Sequence, residues 1–255
     1  MKIKKFKKIK EEKYELFFEN DDSIVLYEDV IINNNLLIEK QIDENKLEDI
    51  KKQNNEFMAY NMALSYISIR MRSKKEIVDY LLKKGINEKL IEKIVDKLIL
   101  NGFIDDYKFS LAYINDQMIL NNYGPSKIKT NLLKHDIDIN IINDAINNID
   151  YNLVLEKLRT LIKKQLKIKK GSSSMVKIKL LNYFTNLGYE KNDILECLNE
   201  FEIKTDINIL QKEYDKLYIK YKNKYDSKRL NYIIAQKLYL KGFTSEDIKK
   251  IKIEE

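Results

Sequence analysis

A unit of about fifty residues occurs four times along this chain. Its anchor positions are Gly85, Asp136, Gly188 and Gly242, which are 51, 52 and 54 residues apart. The same apolar spacing surrounds each anchor, with hydrophobic residues eight and four positions before it and one, six and nine positions after it. A fixed period of this length is typical of stacked helical units rather than of one closed globule. Such arrays offer long surfaces, so the repeat favours an extended partner.

Each repeated unit predicts three helices. Spacings of three and four place apolar side chains on one face of a helix. The anchor is expected just past a helix C-terminus, in a left-handed conformation that glycine adopts easily and aspartate less easily. The second helix of each unit therefore ends at the anchor, and a short third helix follows. The predicted first helices cover residues 57–71, 106–121, 151–168 and 206–223.

Capping residues support these boundaries. Ser73 stands three residues before Glu76, which predicts a capping box at the start of the second helix of unit one. Asp105-Asp106 would open the first helix of unit two, and Gly124-Pro125-Ser126 would end it and start the next. After the anchors, the candidate caps of the third helices are Asn87, Asp138 and Thr244, with Glu190 a poor cap in the third unit.

The segment before the repeats has a different pattern. Alternating apolar residues at 14–18 and the run at 24–27 flank a polar stretch, which indicates a β-hairpin. The basic segment from Lys2 to Lys10 fits a strand, a nucleic-acid-binding arm or a surface-binding helix, and we favour the strand. Asp43 could cap a short helix reaching Lys52, and residues 53–55 would join it to the array.

The expected fold is mainly α, with tandem three-helix repeats that form an elongated curved array and a small N-terminal domain containing a β-hairpin. The predicted N-terminal domain covers residues 1–55. The predicted repeats cover residues 56–105, 106–149, 150–203 and 204–255.

Composition indicates the cellular compartment in which the chain is expected. A single cysteine, Cys197, excludes a disulfide framework and suits a reducing compartment, and its place in the repeat predicts a buried small hydrophobe. No apolar run reaches the length of a membrane span, and no hydrophobic stretch follows the basic N-terminus as in a secretory signal. A cytoplasmic protein is the simplest expectation, with a monomer as the default state.

The basic charge is concentrated in one segment. The net charge is +7, and nine basic residues and no acidic residue lie between Lys157 and Lys179. A helix surface of this sign would attract a polyanion. The alternatives are a solvated face neutralised by its neighbours and a lysine excess that only reflects nucleotide bias in an AT-rich genome. Arginine is rare, with Arg70, Arg72, Arg159 and Arg229 the whole set, so its placement suggests a bound partner or a lock between helices.

Catalysis finds little support in the sequence. The sole histidine, His135, has no cysteine cluster around it and is expected to lie exposed at a helix end. Helix capping explains Asp105-Asp106 better than a catalytic pair does. No phosphate-binding glycine loop occurs, and Ser172-Ser173-Ser174 has no base nearby in sequence. We therefore expect a protein that is not an enzyme and that needs no metal or cofactor.

Three motifs in and after unit one resemble a known family. Residues 70–77 (RMRSKKEI), 81–86 (LLKKGI) and 101–106 (NGFIDD) with Phe109 resemble the signature of the RecX regulatory proteins. Residues 60–64, 124–128 and 132–134 continue the pattern, so the resemblance covers about residues 58–146. Two departures occur: His135-Asp136 replaces a basic residue and glycine, and Ser110 stands where the family favours alanine.

The resemblance implies regulation of RecA. Proteins similar to this one bind the RecA filament on single-stranded DNA in its helical groove and suppress filament growth, ATP turnover and strand exchange. Whether DNA itself is touched stays open, so single-stranded DNA is a further candidate partner. The contact residues that we predict carry positive charge and lie near the motif or in the basic segment: Arg70, Arg72, Lys74, Lys75, Lys127, Lys129, Lys163, Lys164 and Lys167.

An alternative belongs to a different class of function. Three-helix units with basic faces could bind DNA directly, with any effect on recombination indirect. No helix carries the mixed arginine, asparagine and glutamine set expected of a base-reading helix, although asparagine is frequent. A helical scaffold for some other protein is a third reading, against which the specific motif of unit one argues.

Overall fold

A computed structural model describes residues 1–10 and 12–251. Its three strands, β1 (Ile3–Lys10), β2 (Lys13–Phe18) and β3 (Ser23–Tyr27), form an antiparallel sheet in the order β1-β2-β3. The predicted hairpin corresponds to β2 and β3, and the basic N-terminus forms the strand that we favoured.

Thirteen helices follow within the described residues, and they confirm a mainly helical chain with a small N-terminal sheet. The first is the six-residue α1 (Glu28–Asn33). The others fall into four groups of three: α2 (Glu44–Ile67), α3 (Lys74–Lys83) and α4 (Glu88–Leu100); α5 (Asp106–Leu120), α6 (Pro125–Leu133) and α7 (Ile139–Asn147); α8 (Tyr151–Ile168), α9 (Ser173–Asn186) and α10 (Lys191–Asn199); α11 (Ile207–Tyr221), α12 (Ser227–Leu240) and α13 (Ser245–Ile248).

The four anchors have the predicted conformation. Gly85, Asp136, Gly188 and Gly242 have φ angles of 79°, 54°, 88° and 80°, and the glycines directly follow the C-caps of α3, α9 and α12. The hydrophobic residues eight and four positions before each anchor are all buried. The left-handed turn therefore ends each helix and lets its apolar face pack inward.

Most of the predicted caps are present. Ser73 and Glu76 form both hydrogen bonds of a capping box, and the Asn87 side chain accepts from the Leu90 N–H group. Thr244 caps α13, whereas Glu190 caps nothing and instead accepts a hydrogen bond of 2.6 Å from Ser126 Oγ.

The two aspartates before α5 have different roles. Asp105 caps the helix by accepting from the Lys108 N–H group at 2.9 Å. Asp106 Oδ1 instead lies 3.3 Å from the backbone nitrogen of Lys74, at the start of α3. Asp105 is thus the helix cap, and Asp106 reaches back to the capping-box segment.

One predicted boundary falls inside a helix. Residues 53–55 were expected to join two segments, but α2 runs through them without a break from Glu44 to Ile67. The polar character of Asn54 reflects a contact with β3 rather than a loop, because its side chain accepts from the Tyr27 N–H group at 2.9 Å and donates to the Val25 carbonyl at 3.1 Å. The polar run thus fastens α2 to β3. The helix also ends at Ile67, four residues before the predicted end.

The chain divides into two compact units by contact. One comprises Met1–Ala112 with His135–Asp138, and the other comprises Tyr113–Lys134 with the chain from Ile139 onward. Four clusters of buried hydrophobic residues lie within the described residues: one in the N-terminal domain, one between Ala59 and Ile104, one between Val154 and Leu198 and one between Leu210 and Ile251. Residues 252–255 of the predicted fourth repeat lie outside the described residues.

Candidate partner-binding surface

Two of the arginines of the motif converge on one carboxylate. Arg70 Nη2 lies 2.5 Å from Glu76 Oε1, and Arg70 Nη1 lies 3.2 Å from Oε2, which is a two-pronged arrangement. Arg72 Nη1 approaches Glu76 Oε1 to 3.9 Å. Because Glu76 also accepts from the Ser73 N–H group, the capping box and both arginines form one network.

The pKa of Glu76 reflects this network. Burial of the carboxyl group acts to raise its pKa, but the hydrogen bonds from Arg70 and from the Ser73 backbone outweigh burial and hold the pKa below its ordinary value. Glu76 is therefore an ionised structural partner of the arginines near neutral pH.

The guanidinium group of Arg72 lies on one end of a stack of two tyrosine rings. Its guanidinium carbon lies 3.8 Å from the centre of the Tyr66 ring, and Tyr66 stacks on Tyr80 with 4.2 Å between ring centres and 6° between planes. The side chain of Arg72 is only 11% exposed. The stack ties the end of α2 to α3, and a cation on an aromatic face strengthens it. Neither tyrosine lies at a repeat or motif position, so the sequence pattern did not predict this stack, although Tyr66 precedes Arg70 and Tyr80 precedes Lys84 by four residues.

The lysines beside the motif have different surroundings. Lys74 is exposed, and Lys75 Nζ lies 2.8 Å from Asp136, whose carboxylate raises the pKa of Lys75. Close by, Ser73 Oγ lies 3.3 Å from His135 Nδ1, and the His135 ring lies 5.2 Å from that of Phe109. His135 is thus half-buried against the start of α3, and its predicted exposed position was wrong. The first residues of α3 therefore contact the anchor of the next repeat.

The same relationship occurs between the second and third repeats. The backbone N–H group of Gly124 donates to the Leu187 carbonyl at 2.7 Å, and that of Ser126 donates to the Gly188 carbonyl at 3.1 Å. Lys127 Nζ donates to the Asn186 carbonyl at 3.2 Å. The start of α6 thus satisfies carbonyl groups that the end of α9 leaves free, and opposite ends of two helix dipoles meet.

A third copy of this contact joins α9 to α12. Ser172 Oγ donates to the Lys241 carbonyl at 2.9 Å, and Ser174 Oγ donates to the Gly242 carbonyl at 2.8 Å. We call these three contacts, each between the start of one second helix and the anchor of the next repeat, the inter-repeat seams. Ser172-Ser173-Ser174 therefore belongs to a seam.

The basic segment presents three exposed lysines on α8. Lys163, Lys164 and Lys167 are spaced by three and four residues, share one face of the helix and are exposed. Within the described residues none of them forms an ion pair. Other members of the segment are engaged: Arg159 pairs with Glu200 at 2.8 Å, and Lys170 approaches Asp206 to 3.9 Å. We call the three exposed residues the α8 lysine stripe.

The predicted contact residues lie on or beside three helices of the two compact units. Arg70, Arg72, Lys74 and Lys75 lie together at the start of α3, where two of the four are held by Glu76. Lys127 and Lys129 are half-buried on α6, with Lys127 Nζ 5.0 Å from the centre of the Tyr123 ring. Within the described residues, Lys74 and the stripe on α8 are the members of the set that are exposed and form no ion pair.

Other chemistry is sparse in the described part of the chain. Cys197 is buried, as predicted, and burial raises the pKa of its thiol. Residues 1–10 and 12–251 contain no cluster of three or more histidine, cysteine or acidic side chains that could hold a metal ion. No helix in these ranges is long and apolar enough to cross a membrane.

Comparison with known proteins is consistent across sequence and structure. The family model of the first three-helix domain of RecX matches residues 59–98. The chain is 32% identical to the regulatory protein RecX of Streptococcus uberis, over 100% of this chain and 99% of the relative, and 31% identical to that of Streptococcus pyogenes serotype M4, over 97% of each. Among solved structures, a crystal structure of regulatory protein RecX superposes with a TM-score of 0.66 at 22% identity, covering 78% of this chain and 99% of the other. The structure of RecX from Lactobacillus salivarius gives a TM-score of 0.53 at 30% identity, covering 58% and 97%.

Proposed function

The chain belongs to the RecX family of regulatory proteins, and on that premise we propose that it binds the RecA filament on single-stranded DNA. Binding would modulate the filament, mainly by inhibiting ATP hydrolysis, filament growth and strand exchange. The observation that carries the proposal is the relationship over the whole chain to regulatory proteins of this family, together with the motif at residues 70–106.

Inhibition of this kind needs no reaction on the regulator itself. A protein that binds a blocked or disassembling state of a filament more tightly than the growing state shifts the population by its difference in affinity. The inter-repeat seams support this role, because they join successive repeats by hydrogen bonds and, at α3, by the ion pair of Lys75 with Asp136, and so favour a defined spacing of surface charges along each unit.

We propose that the α8 lysine stripe, Lys74 and Lys75 make the main charged contacts. Exposed lysines steer a negatively charged partner and accelerate its binding. Arg70 is half-exposed and can share its guanidinium with a partner, whereas Arg72 has little exposed surface to offer. For Arg72 we therefore propose that it acts by holding the segment that presents Lys74. Lys127 and Lys129 stay predicted contacts with partly buried stems.

The test is the ATPase activity of RecA from the same organism, stimulated by single-stranded DNA and titrated with this protein. Inhibition at well below one copy per RecA subunit would support a filament regulator that blocks growth. Unchanged ATP hydrolysis at a molar excess, with filament formation intact by electron microscopy, would contradict the proposal.

A second candidate is a helical-repeat protein that binds DNA directly, which the nine basic residues between Lys157 and Lys179 favour. Binding through phosphate contacts falls steeply with salt and ignores sequence. Retention of the protein on RecA filaments at a salt concentration that releases it from bare DNA would favour the regulator. Equal release from both would favour direct DNA binding.

A further inference from the structure

The N-terminal sheet has two chemically different faces. Its inner face carries Leu16, Phe18 and Leu26, which are at most 1% exposed and form the core with α1 and α2. Residues that alternate with these point to the opposite side. That side, which we call the outer sheet face, presents Lys5, Lys7, Lys13, Glu15, Phe17 and Val25.

The outer sheet face combines lysines with an aromatic ring. Lys5 pairs across the strands with Phe17, and its Nζ lies 4.9 Å from the centre of that ring. Lys13 Nζ lies 4.6 Å from the ring centre of Tyr27, at the end of β3. Lys7 is exposed on β1, opposite Glu15. Among these residues Glu15 is the one carboxylate, and Ser23 Oγ donates to it at 3.0 Å.

Protection of the sheet edge does not account for this arrangement. Lysines on an edge strand prevent pairing with other chains, which is a sufficient reason for Lys5 and Lys7 on β1. Lys13 and Phe17, however, lie on β2, the central strand, where no edge needs protection. Phe17 is also absent from the hydrophobic core of this domain. A partly buried aromatic ring that lies outside the core, among lysines on a central strand, calls for another explanation.

We propose that the outer sheet face binds single-stranded DNA, with Lys5, Lys7 and Lys13 on phosphates and Phe17 stacked on a base. Proteins that bind single strands without sequence preference combine a positive surface with aromatic rings on which bases stack. Alternate residues on a strand lie about 7 Å apart and adjacent strands about 5 Å apart, so the three ammonium groups and the ring fall within the span of a few nucleotides. The inference goes beyond the proposed function, since it requires no RecA and assigns single-stranded DNA to a surface that neither candidate function uses.

An acidic peptide is the other polyanion that lysines would attract. It would use Lys5, Lys7 and Lys13, but it would gain nothing from an aromatic face beside them. Phe17 therefore favours the nucleic acid, because every base has a flat face that stacks on an aromatic ring.

The experiment measures binding of the full chain to a fluorescein-labelled oligothymidylate of about 16 nucleotides by fluorescence anisotropy, between about 50 and 200 mM salt. The variant Lys5→Gln/Lys7→Gln/Lys13→Gln should bind more weakly and lower the slope of log K against log salt by about 2, because each phosphate contact contributes about 0.7. The control Lys51→Gln/Lys52→Gln/Lys89→Gln removes the same charge from exposed sites on α2 and α4 and should keep the slope.

A second pair of variants tests the stacking. Phe17→Leu should weaken binding at least about fivefold, and Phe17→Tyr should retain it, because only the tyrosine ring can stack on a base. Equal slopes for the two triple variants would overturn the proposal, and so would equal affinities for the two Phe17 variants. Binding of poly-glutamate but not of oligothymidylate, lost in the sheet variant, would replace the DNA with an acidic protein. The assay contains no RecA, so its outcome is separate from that of the ATPase test.

Discussion

The hydroxyl group of Ser172 donates a hydrogen bond of 2.9 Å to the carbonyl oxygen of Lys241, which lies one repeat further along the chain. The same hydroxyl lies 3.4 Å from the Met175 backbone nitrogen at the start of α9. One buried side chain therefore caps the beginning of α9 and also hydrogen-bonds a carbonyl group at the end of α12. The period of the sequence is thus visible as a repeated physical contact between second helices and anchors.

Replacing Ser172 with alanine should destabilise the second compact unit by about 1–3 kcal/mol, because a cap and a buried hydrogen bond are lost together. Urea unfolding followed by circular dichroism measures the change. Ser227→Ala is the matched control, since Ser227 is exposed at the start of α12 and its loss should cost less than about 0.5 kcal/mol. Equal midpoints for the two variants would show that the seam contributes nothing.

The anchor glycines should differ in their tolerance of a side chain. A Cβ atom at Gly188 would lie 2.4 Å from both the Cβ and the backbone nitrogen of Lys127, so alanine there forces the seam apart. A Cβ atom at Gly85 meets nothing within 4 Å, and its cost is only that of the left-handed backbone. We expect about 1–2 kcal/mol for Gly85→Ala and a clearly larger loss for Gly188→Ala.

Thermal and urea unfolding measure the loss of stability in each of these two variants. A Gly188→Ala protein as stable as Gly85→Ala would mean that the start of α6 moves away from the anchor at little cost. The φ angles of 79° and 88° are similar, so backbone strain cannot cause a large difference between the variants.

The seams also show why part of the fold was accessible from sequence. Anchor spacing and apolar periodicity predicted four left-handed turns and the residues buried before them, since both depend on local backbone preferences and on one helix face. The first helices of units two to four begin within one residue of the predicted positions. These features need no knowledge of what lies across the interface.

The structure differs from the sequence predictions where a contact with a residue far away in the chain determines the position of a side chain. Asn54 was interpreted as part of a polar join, but it lies within α2 and its side chain forms hydrogen bonds with β3. His135 was expected at an exposed helix end, but Ser73, more than sixty residues earlier, lies 3.3 Å from its ring. Nothing local to either residue encodes these contacts. The charged side chains of the candidate surface pose the same problem, because sequence cannot tell Arg72, which is stacked, from Lys163, which is exposed.

Arg72→Ala should therefore lower the stability of the first compact unit more than Arg70→Ala does. Arg72 covers the Tyr66 ring and is 11% exposed, so its loss removes packing and a cation–π contact of about 1–2 kcal/mol. Arg70 is about half-exposed, and its ion pair is worth less in water. Urea unfolding of both variants measures the order, and a larger loss for Arg70→Ala would contradict the structural role of Arg72.

Glu76 should make stability depend on pH in the acidic range. Its pKa in the folded state lies below the ordinary value of 4.5, so the ionised form stabilises the fold above that value. This contribution is lost as the pH falls below about 4.5 through the lower folded pKa. Glu76→Gln should be less stable than the parent at pH 7, and the difference should shrink as acid protonates Glu76. Urea midpoints measured at several pH values between 7 and 3 test this, and a constant difference would rule out the linkage.

Reversal of the α8 lysine stripe should separate regulation from folding. In Lys163→Glu/Lys164→Glu/Lys167→Glu, repulsion from an acidic partner replaces attraction, and we expect the concentration for half-inhibition of RecA ATPase to rise about tenfold or more. The stripe residues are exposed and unpaired within the described part of the chain, so the melting temperature should change little. The matched control is Lys212→Glu/Lys220→Glu/Lys228→Glu, which reverses three exposed charges on α11 and α12 in the same compact unit. If both variants lose inhibition equally, net charge rather than the stripe governs binding; if the stripe variant inhibits like the parent, the contact surface lies elsewhere.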